Sequence, residues 1–166
     1  MYEVELKVPA SHEEVFERLE AANATRTRRV EQVDTYYDAP HRDFAETEEA
    51  LRIRKQRTLD AGEDEYGTTL TYKGPLVDDA SKTRQEYEIQ VSAADELEGI
   101  LGGLGFEPAA TVEKERTVFD LDGYTVTLDS VDGLGEFLEV ERRAAEEHIE
   151  EVRTGAVDVL ESLGLD

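Results

Sequence analysis

Apolar and polar positions alternate strictly at the start of the chain, with Tyr2, Val4 and Leu6 on one face and Glu3, Glu5 and Lys7 on the other. This period of two predicts a strand over 2–8, ended by Pro9. The period then lengthens. Ser11 and Glu14 have capping-box spacing, and Val15, Phe16 and Leu19 form a helical stripe, which predicts a helix over 11–22. Strands are predicted over 29–37 and 51–58, with a Pro40 loop and a helical turn at 43–50 between them. Ala61 to Glu65 has the composition of a hairpin loop, 67–73 of its return strand, and Gly74-Pro75 opens a polar loop over 75–82. Arg84, Glu86 and Glu88 alternate with Gln85, Tyr87 and Ile89 in a strand over 83–91. Ser92 is placed to cap a helix over 93–103. Three more strands follow at 111–120, 123–130 and 136–143. A last helix over 144–163 carries Ile149, Val152, Ala156, Val159, Leu160 and Leu163 on one face, and Gly164 is placed to stop it. Hairpins with a few helices predict an α+β domain on an antiparallel sheet, and 166 residues fit a single domain over 1–166.

The polar faces of these strands share one vocabulary. They carry Glu3-Glu5-Lys7, Arg52-Arg54, Lys73, Arg84-Glu86-Glu88, Lys114-Arg116, Asp129 and Glu139-Glu141. Neighbours within a group are two residues apart, so each group projects to one side of its strand. The opposite faces are apolar. Closing such a sheet into a barrel, with helices over the apolar outside, would enclose the charges in a wet tunnel.

Charge sharpens that expectation. Lys plus Arg is 18 against 41 Asp plus Glu, a formal net charge of −23. Carboxylates are so common that one E-x-E pair means little. Cations are scarce, yet Lys7, Lys73 and Lys114, three of the five lysines, lie on these strand faces with Arg52, Arg54, Arg84 and Arg116. Spaced guanidinium and ammonium groups are donors for a row of phosphates. Carboxylates beside them are the hard oxygen ligands of a divalent cation. The acidity argues against binding DNA, RNA or anionic lipid, which need a basic surface. With only five lysines in so acidic a chain, it also predicts adaptation to a cytoplasm of high salt. There is no cysteine, and the longest uncharged run, Gly99 to Phe106, is too short to span a bilayer. No Walker loop or nucleophile elbow is present. His12, His41 and His148 have no metal-ligand spacing and are expected to be solvated.

Seven segments in order resemble the CYTH family, the triphosphate tunnel metalloenzymes, and most of all its class IV adenylyl cyclase branch. They are the E-x-E-x-K run from Glu3 to Lys7; Tyr36-Tyr37-Asp38; Leu51-Arg52-Ile53-Arg54; Thr71-Tyr72-Lys73-Gly74-Pro75; Arg84-Gln85-Glu86-Tyr87-Glu88; Lys114-Glu115-Arg116 with Leu128-Asp129-Ser130; and Gly133 to Glu141. The resemblance implies a closed antiparallel eight-stranded barrel with helices outside. It implies Mg²⁺ or Mn²⁺ on Glu3, Glu5 and Glu139, with Asp129 and Glu141 completing or flanking the metal sites. It implies a triphosphate on Lys7, Arg52, Arg54, Lys73, Arg84, Lys114 and Arg116, of which Lys7, Arg52, Lys73 and Arg116 are the expected catalytic groups. Glu86 and Glu88 would orient these cations or serve a second metal. The implied reaction is ATP to cyclic AMP and pyrophosphate. The alternatives are hydrolysis of thiamine triphosphate, a nucleotide or tripolyphosphate, and polyphosphate binding without turnover. A homodimer is also implied by the family branch. The segment Pro40 to Thr47 departs from the family by being more acidic and poorer in leucine.

Overall fold

Eight strands close on themselves in the computed structural model, which describes residues 1–60, 66–77 and 80–165. They are β1 (Tyr2–Pro9), β2 (Thr25–Asp38), β3 (Ala50–Thr58), β4 (Tyr66–Lys73), β5 (Arg84–Val91), β6 (Glu107–Leu121), β7 (Tyr124–Val131) and β8 (Gly135–Ala144). Their order around the barrel is β1-β5-β4-β3-β2-β6-β7-β8, and every adjacent pair is antiparallel. The helices are α1 (His12–Ala21), α2 (Phe44–Thr47), α3 (Ala94–Gly103) and α4 (Ile149–Ser162). The expected hairpin loop at Ala61–Glu65 lies outside the described residues. No described helix is long and apolar enough to cross a membrane.

The apolar strand faces point outward and the helices cover them in two places. Val4, Val126, Leu128, Leu138 and Val140 pack against Val15 and Leu19 of α1 and Val152, Ala156, Val159 and Leu160 of α4. Tyr37, Leu51 and Ile53 pack against Phe44 of α2 and Leu101 of α3. Each apolar stripe therefore finds its burial outside the barrel, and the interior is left to the polar faces.

Several boundaries differ from the sequence expectation. β2 begins at Thr25 because Thr25 to Arg29 pair with the far end of β6, although their exposed side chains carry no alternation. β6 begins at Glu107 because it pairs with β2 as far as Asp38. β8 runs to Ala144, held by Tyr2 and Glu3 of β1, so α4 starts at Ile149 after a 3₁₀ turn at Glu146–His148. Ser11 occupies the N-cap of α1 without a side-chain bond, so the capping box does not form, and Ala93 rather than Ser92 stands at the N-cap of α3. Gly164 does stop α4. It is left-handed (φ 75°), and the Gly164 and Leu165 amides donate back to Glu161 and Leu160, the Schellman pattern. His12 is half-buried rather than solvated, with its ring 3.3 Å from Glu136.

Gly155 marks a close approach of α4 to the barrel. A Cβ there would fall 2.9 Å from Cζ of Tyr124, whose hydroxyl donates to the Val152 carbonyl at 2.8 Å. A Cβ at Gly99 of α3 would meet nothing within 4 Å. The same substitution should therefore act in opposite directions. Gly99→Ala should stabilise by about 0.5–1 kcal/mol through helix propensity. Gly155→Ala should destabilise by about 1–2 kcal/mol, overpacking outweighing propensity. Urea unfolding of the two variants checks the signs.

Candidate functional site: a charged tunnel

Inward-facing residues of all eight strands enclose a cavity of about 1070 Å³. Glu3, Glu5, Lys7, Arg52, Arg54, Lys73, Arg84, Glu86, Glu88, Lys114, Arg116, Glu139 and Glu141 all line it. Register brings them together. Glu5 lies opposite Glu141 and Lys7 opposite Glu139 across β1 and β8. Lys73 lies opposite Glu86 across β4 and β5. Asp129, alone among the expected site residues, does not line the cavity. It sits opposite Arg116, fully buried in the wall.

The carboxylates gather on one side. One oxygen from each of Glu3, Glu5 and Glu141 lies within 4.8 Å of the other two. Lys73 Nζ reaches Glu3 at 3.0 Å, Glu86 at 3.7 Å and Glu5 at 3.8 Å. Three carboxylates thus share one ammonium. Burial, then the neighbouring Glu139, pushes Glu5 well above the usual carboxylate range. Burial and the Glu3 charge likewise raise Glu141. Burial and its hydrogen bond with Glu3 push Glu86 up to about 8. Glu3 moves the other way: burial opposes its charge, but Glu86 and Lys73 together hold it below the usual range. Three oxygens this close, short of positive charge, fit a hard divalent cation.

Arg54, Lys114 and Arg116 gather on the other side, braced from behind. Arg116 Nε and Nη2 grip both oxygens of Asp129 at 2.7 and 2.8 Å, and Nη2 also reaches Glu139 at 3.0 Å. Arg54 grips both oxygens of Asp34 in the same way, at 2.7 and 2.8 Å. Lys114 Nζ lies 3.2 Å from Asp129, and Lys7 Nζ 3.5 Å from Glu139. Both Asp129 oxygens therefore face cations, and it stands apart from the Glu3–Glu5–Glu141 group. Its pKa is held at about 2: burial opposes its charge, but Arg116 and Lys114 overcome it. Burial and then the Arg116 charge lower Lys114 to about 8.

Charged residues outside the expected set also stand at the site: Arg28, Lys82 and Arg143 line the cavity, and Asp34 stands behind Arg54. Asp34 belongs to Gln32-Asp34-Tyr36, an i, i+2 group of mixed chemistry, and only its pairing opposite Arg54 reveals its role. Arg143 extends Glu139-Glu141 by one more inward step and donates to Glu86 at 2.7 Å. Its i+2 spacing was a usable signal.

This geometry belongs to a known group. The model of the CYTH domain matches residues 1–166. The chain belongs to the CYTH family. It is 37% identical over 144 residues to a Methanocaldococcus jannaschii protein that carries a provisional adenylate cyclase name, covering 86% of this chain and 77% of that one. It is 26% identical over 108 residues to the adenylate cyclase CyaB of Aeromonas hydrophila, covering 64% of this chain and 50% of that one. The solved structure of the PH1819 protein from Pyrococcus horikoshii OT3 superimposes with a TM-score of 0.90 at 38% identity, covering 99% of this CYTH chain and 91% of that one. CYTH proteins are generally divalent-metal enzymes, adenylate cyclases or triphosphatases, and their substrates are of the triphosphate type.

Proposed function

We propose that this CYTH protein is a metal-dependent enzyme that converts ATP to cyclic AMP and pyrophosphate inside the tunnel. One observation carries the reading: three convergent carboxylates face a braced row of arginines and lysines across a single cavity. Glu3, Glu5 and Glu141 would hold Mg²⁺ or Mn²⁺, with Glu139 flanking. Asp129 is reassigned from metal ligand to the brace of Arg116, because both its oxygens are engaged there. When bound, the metal polarises phosphate oxygens and favours ionisation of the attacking hydroxyl.

The chain's own residues supply position and charge. Lys7, Arg52, Arg54, Lys73, Arg84, Lys114 and Arg116 bind the triphosphate. Lys7, Arg52, Lys73 and Arg116 touch the reacting region and neutralise charge that grows on the leaving pyrophosphate as the ribose 3′-hydroxyl attacks the α-phosphorus in line. Arg116 and Arg54 cost little reorganisation, because Asp129 and Asp34 already fix their planes. Hydrolysis of a triphosphate would use the same walls, with water as nucleophile.

The deciding experiment offers ATP, thiamine triphosphate and tripolyphosphate separately, in molar KCl with Mg²⁺ or Mn²⁺, and resolves the products. Cyclic AMP with pyrophosphate supports the cyclase. Orthophosphate replaces it with the hydrolase. Tight metal-dependent binding without turnover overturns the enzyme reading.

Lys114 predicts a pH dependence. It loses its proton as pH rises through about 8, so its hold on phosphate is present below that value and lost above it. Affinity for Mn²⁺–tripolyphosphate should weaken roughly 10-fold above that point, the worth of one charged hydrogen bond. Lys114→Arg should stay flat over the same range, and calorimetric titration from pH 6.5 to 9.5 compares them.

The surface reading concerns salt. The expected tunnel charges balance, so the net −23 resides elsewhere on the chain. We infer that the fold needs high ionic strength, where the screening length falls to about 3 Å. The melting temperature should rise steadily with KCl, and a flat curve would remove the inference.

A further inference from the structure

The tunnel is not charged along its whole length. One inward step past Arg54 on β3 lies Gln56, and the next is Thr58. Opposite them on β2 lie Gln32 and Val30. One inward step past Arg116 on β6 lies Val118, opposite Thr127 on β7. Across β2 and β6 the pairing is mixed, with Gln32 opposite Lys114, Val30 opposite Arg116 and Arg28 opposite Val118, so the uncharged residues form a patch bordered by the belt of cations on one side and by Arg28 on the other.

This patch has unspent hydrogen-bonding capacity. Gln32 Nε2 donates to Gln56 Oε1 at 2.7 Å, which leaves Gln56 Nε2 as a donor with no protein acceptor among the described residues. Gln32 is 2% exposed and Thr127 1%, yet among the described residues Gln32 Oε1 and Thr127 Oγ1 have no hydrogen-bond partner. Buried polar atoms without partners are rare and costly. Beside them Val30 and Val118 give the cavity an apolar strip. A bare inorganic tripolyphosphate is anionic throughout and gains nothing from the valines. A flat ring with a polar edge gains from the valines and the neutral amides alike. The cavity is also large, since about 1070 Å³ stands at the upper end of the range for sites that enclose drug-sized organic ligands.

We propose that the neutral patch centred on Gln56 seats a planar heteroaromatic group of an organic triphosphate, its face on Val30 and Val118 and its edge on the Gln56 amide. The inference rests on the triphosphate reading of the charged belt. It adds a direction: the phosphate attached to the organic group lies toward Arg54 and Arg116, and the far phosphates lie deeper in the belt. A purine and an aminopyrimidine share this chemistry, and the ligands offered separate them.

The test measures binding to the full-length protein with Mn²⁺ in molar KCl by calorimetry. ATP, thiamine triphosphate and tripolyphosphate are titrated into wild type, Gln56→Leu and Val118→Thr. Gln56→Leu should weaken the bound organic triphosphate roughly 10-fold and move tripolyphosphate by less than about 2-fold. Val118→Thr, nearly isosteric, should weaken the organic ligand in the same selective way and keeps the test open if the first variant does not fold. Equal losses for organic and inorganic ligands, or no loss for either, overturn the subsite. If wild type binds tripolyphosphate but neither organic ligand, the subsite fails and the phosphate reading stands. If wild type binds none of the three, the phosphate reading fails and the subsite falls with it.

Discussion

Glu5→Gln should abolish turnover, with a loss beyond roughly 100-fold, while leaving the metal-free fold at least as stable as wild type. The two halves have one cause. Glu5 sits within reach of Glu3 and Glu141, opposite Glu141 in register, with Lys73 only at 3.8 Å. Burial and Glu139 raise its pKa. A carboxyl whose pKa is raised on folding contributes stability below its unfolded value and loses it as pH rises through the folded value. At neutral pH its ionisation therefore strains the empty site, and the neutral amide relieves that strain. The same change removes one anionic oxygen from the only such group of three among the described residues. Loss of a supporting contact alone typically costs 10–100-fold in metal affinity or activity, and loss of a ligand should cost more. Two measurements decide it: turnover at saturating Mn²⁺, and thermal unfolding in chelator at constant KCl. Full activity in the variant would show that the metal, if used, binds elsewhere.

Arg116→Met should destabilise the protein by about 3–5 kcal/mol, the cost of stranding a buried partner. Asp129 is fully buried, and Arg116 supplies two of its short bonds and one to Glu139. Without the guanidinium, only Lys114 at 3.2 Å remains to Asp129 among the described residues. The double change Arg116→Met with Asp129→Leu should recover most of the loss, because it removes the stranded charge together with its partner. Urea unfolding of the four proteins gives the coupling energy directly. Neither the single nor the double variant should bind triphosphate well, so the cycle separates the stability role of the pair from its binding role. Independent, additive losses would show that the two residues do not act as a unit.

Much of this architecture can be read along the chain. The strict alternation of 2–8 and of 51–58 marks strands whose apolar face needs cover, and the α4 stripe from Ile149 to Leu163 supplies some of it. Basic residues are rare in so acidic a chain, so Arg52-Arg54 and Lys114-Arg116 stand out as candidate site residues. Sequence reasoning failed where pattern and partner part company. Thr25 to Arg29 carry no alternation, yet β6 pairs with them. Ala144 is expected to begin the last helix, yet β1 extends β8 through it. Ser11 has a capping sequence without a capping bond.

The sequence by itself determined that charged groups line one face of nearly every strand, and that this face suits a metal and a triphosphate. Spacing within a strand is a local property, so a one-dimensional pattern carries it. Only the tertiary structure decided which charge meets which. Asp129 and Glu141 look equivalent in the chain, but register places Asp129 behind Arg116 and Glu141 against Glu5. Asp34 looks unremarkable until β3 brings Arg54 beside it. Partnership across strands depends on closure and register, and those are properties of the whole barrel.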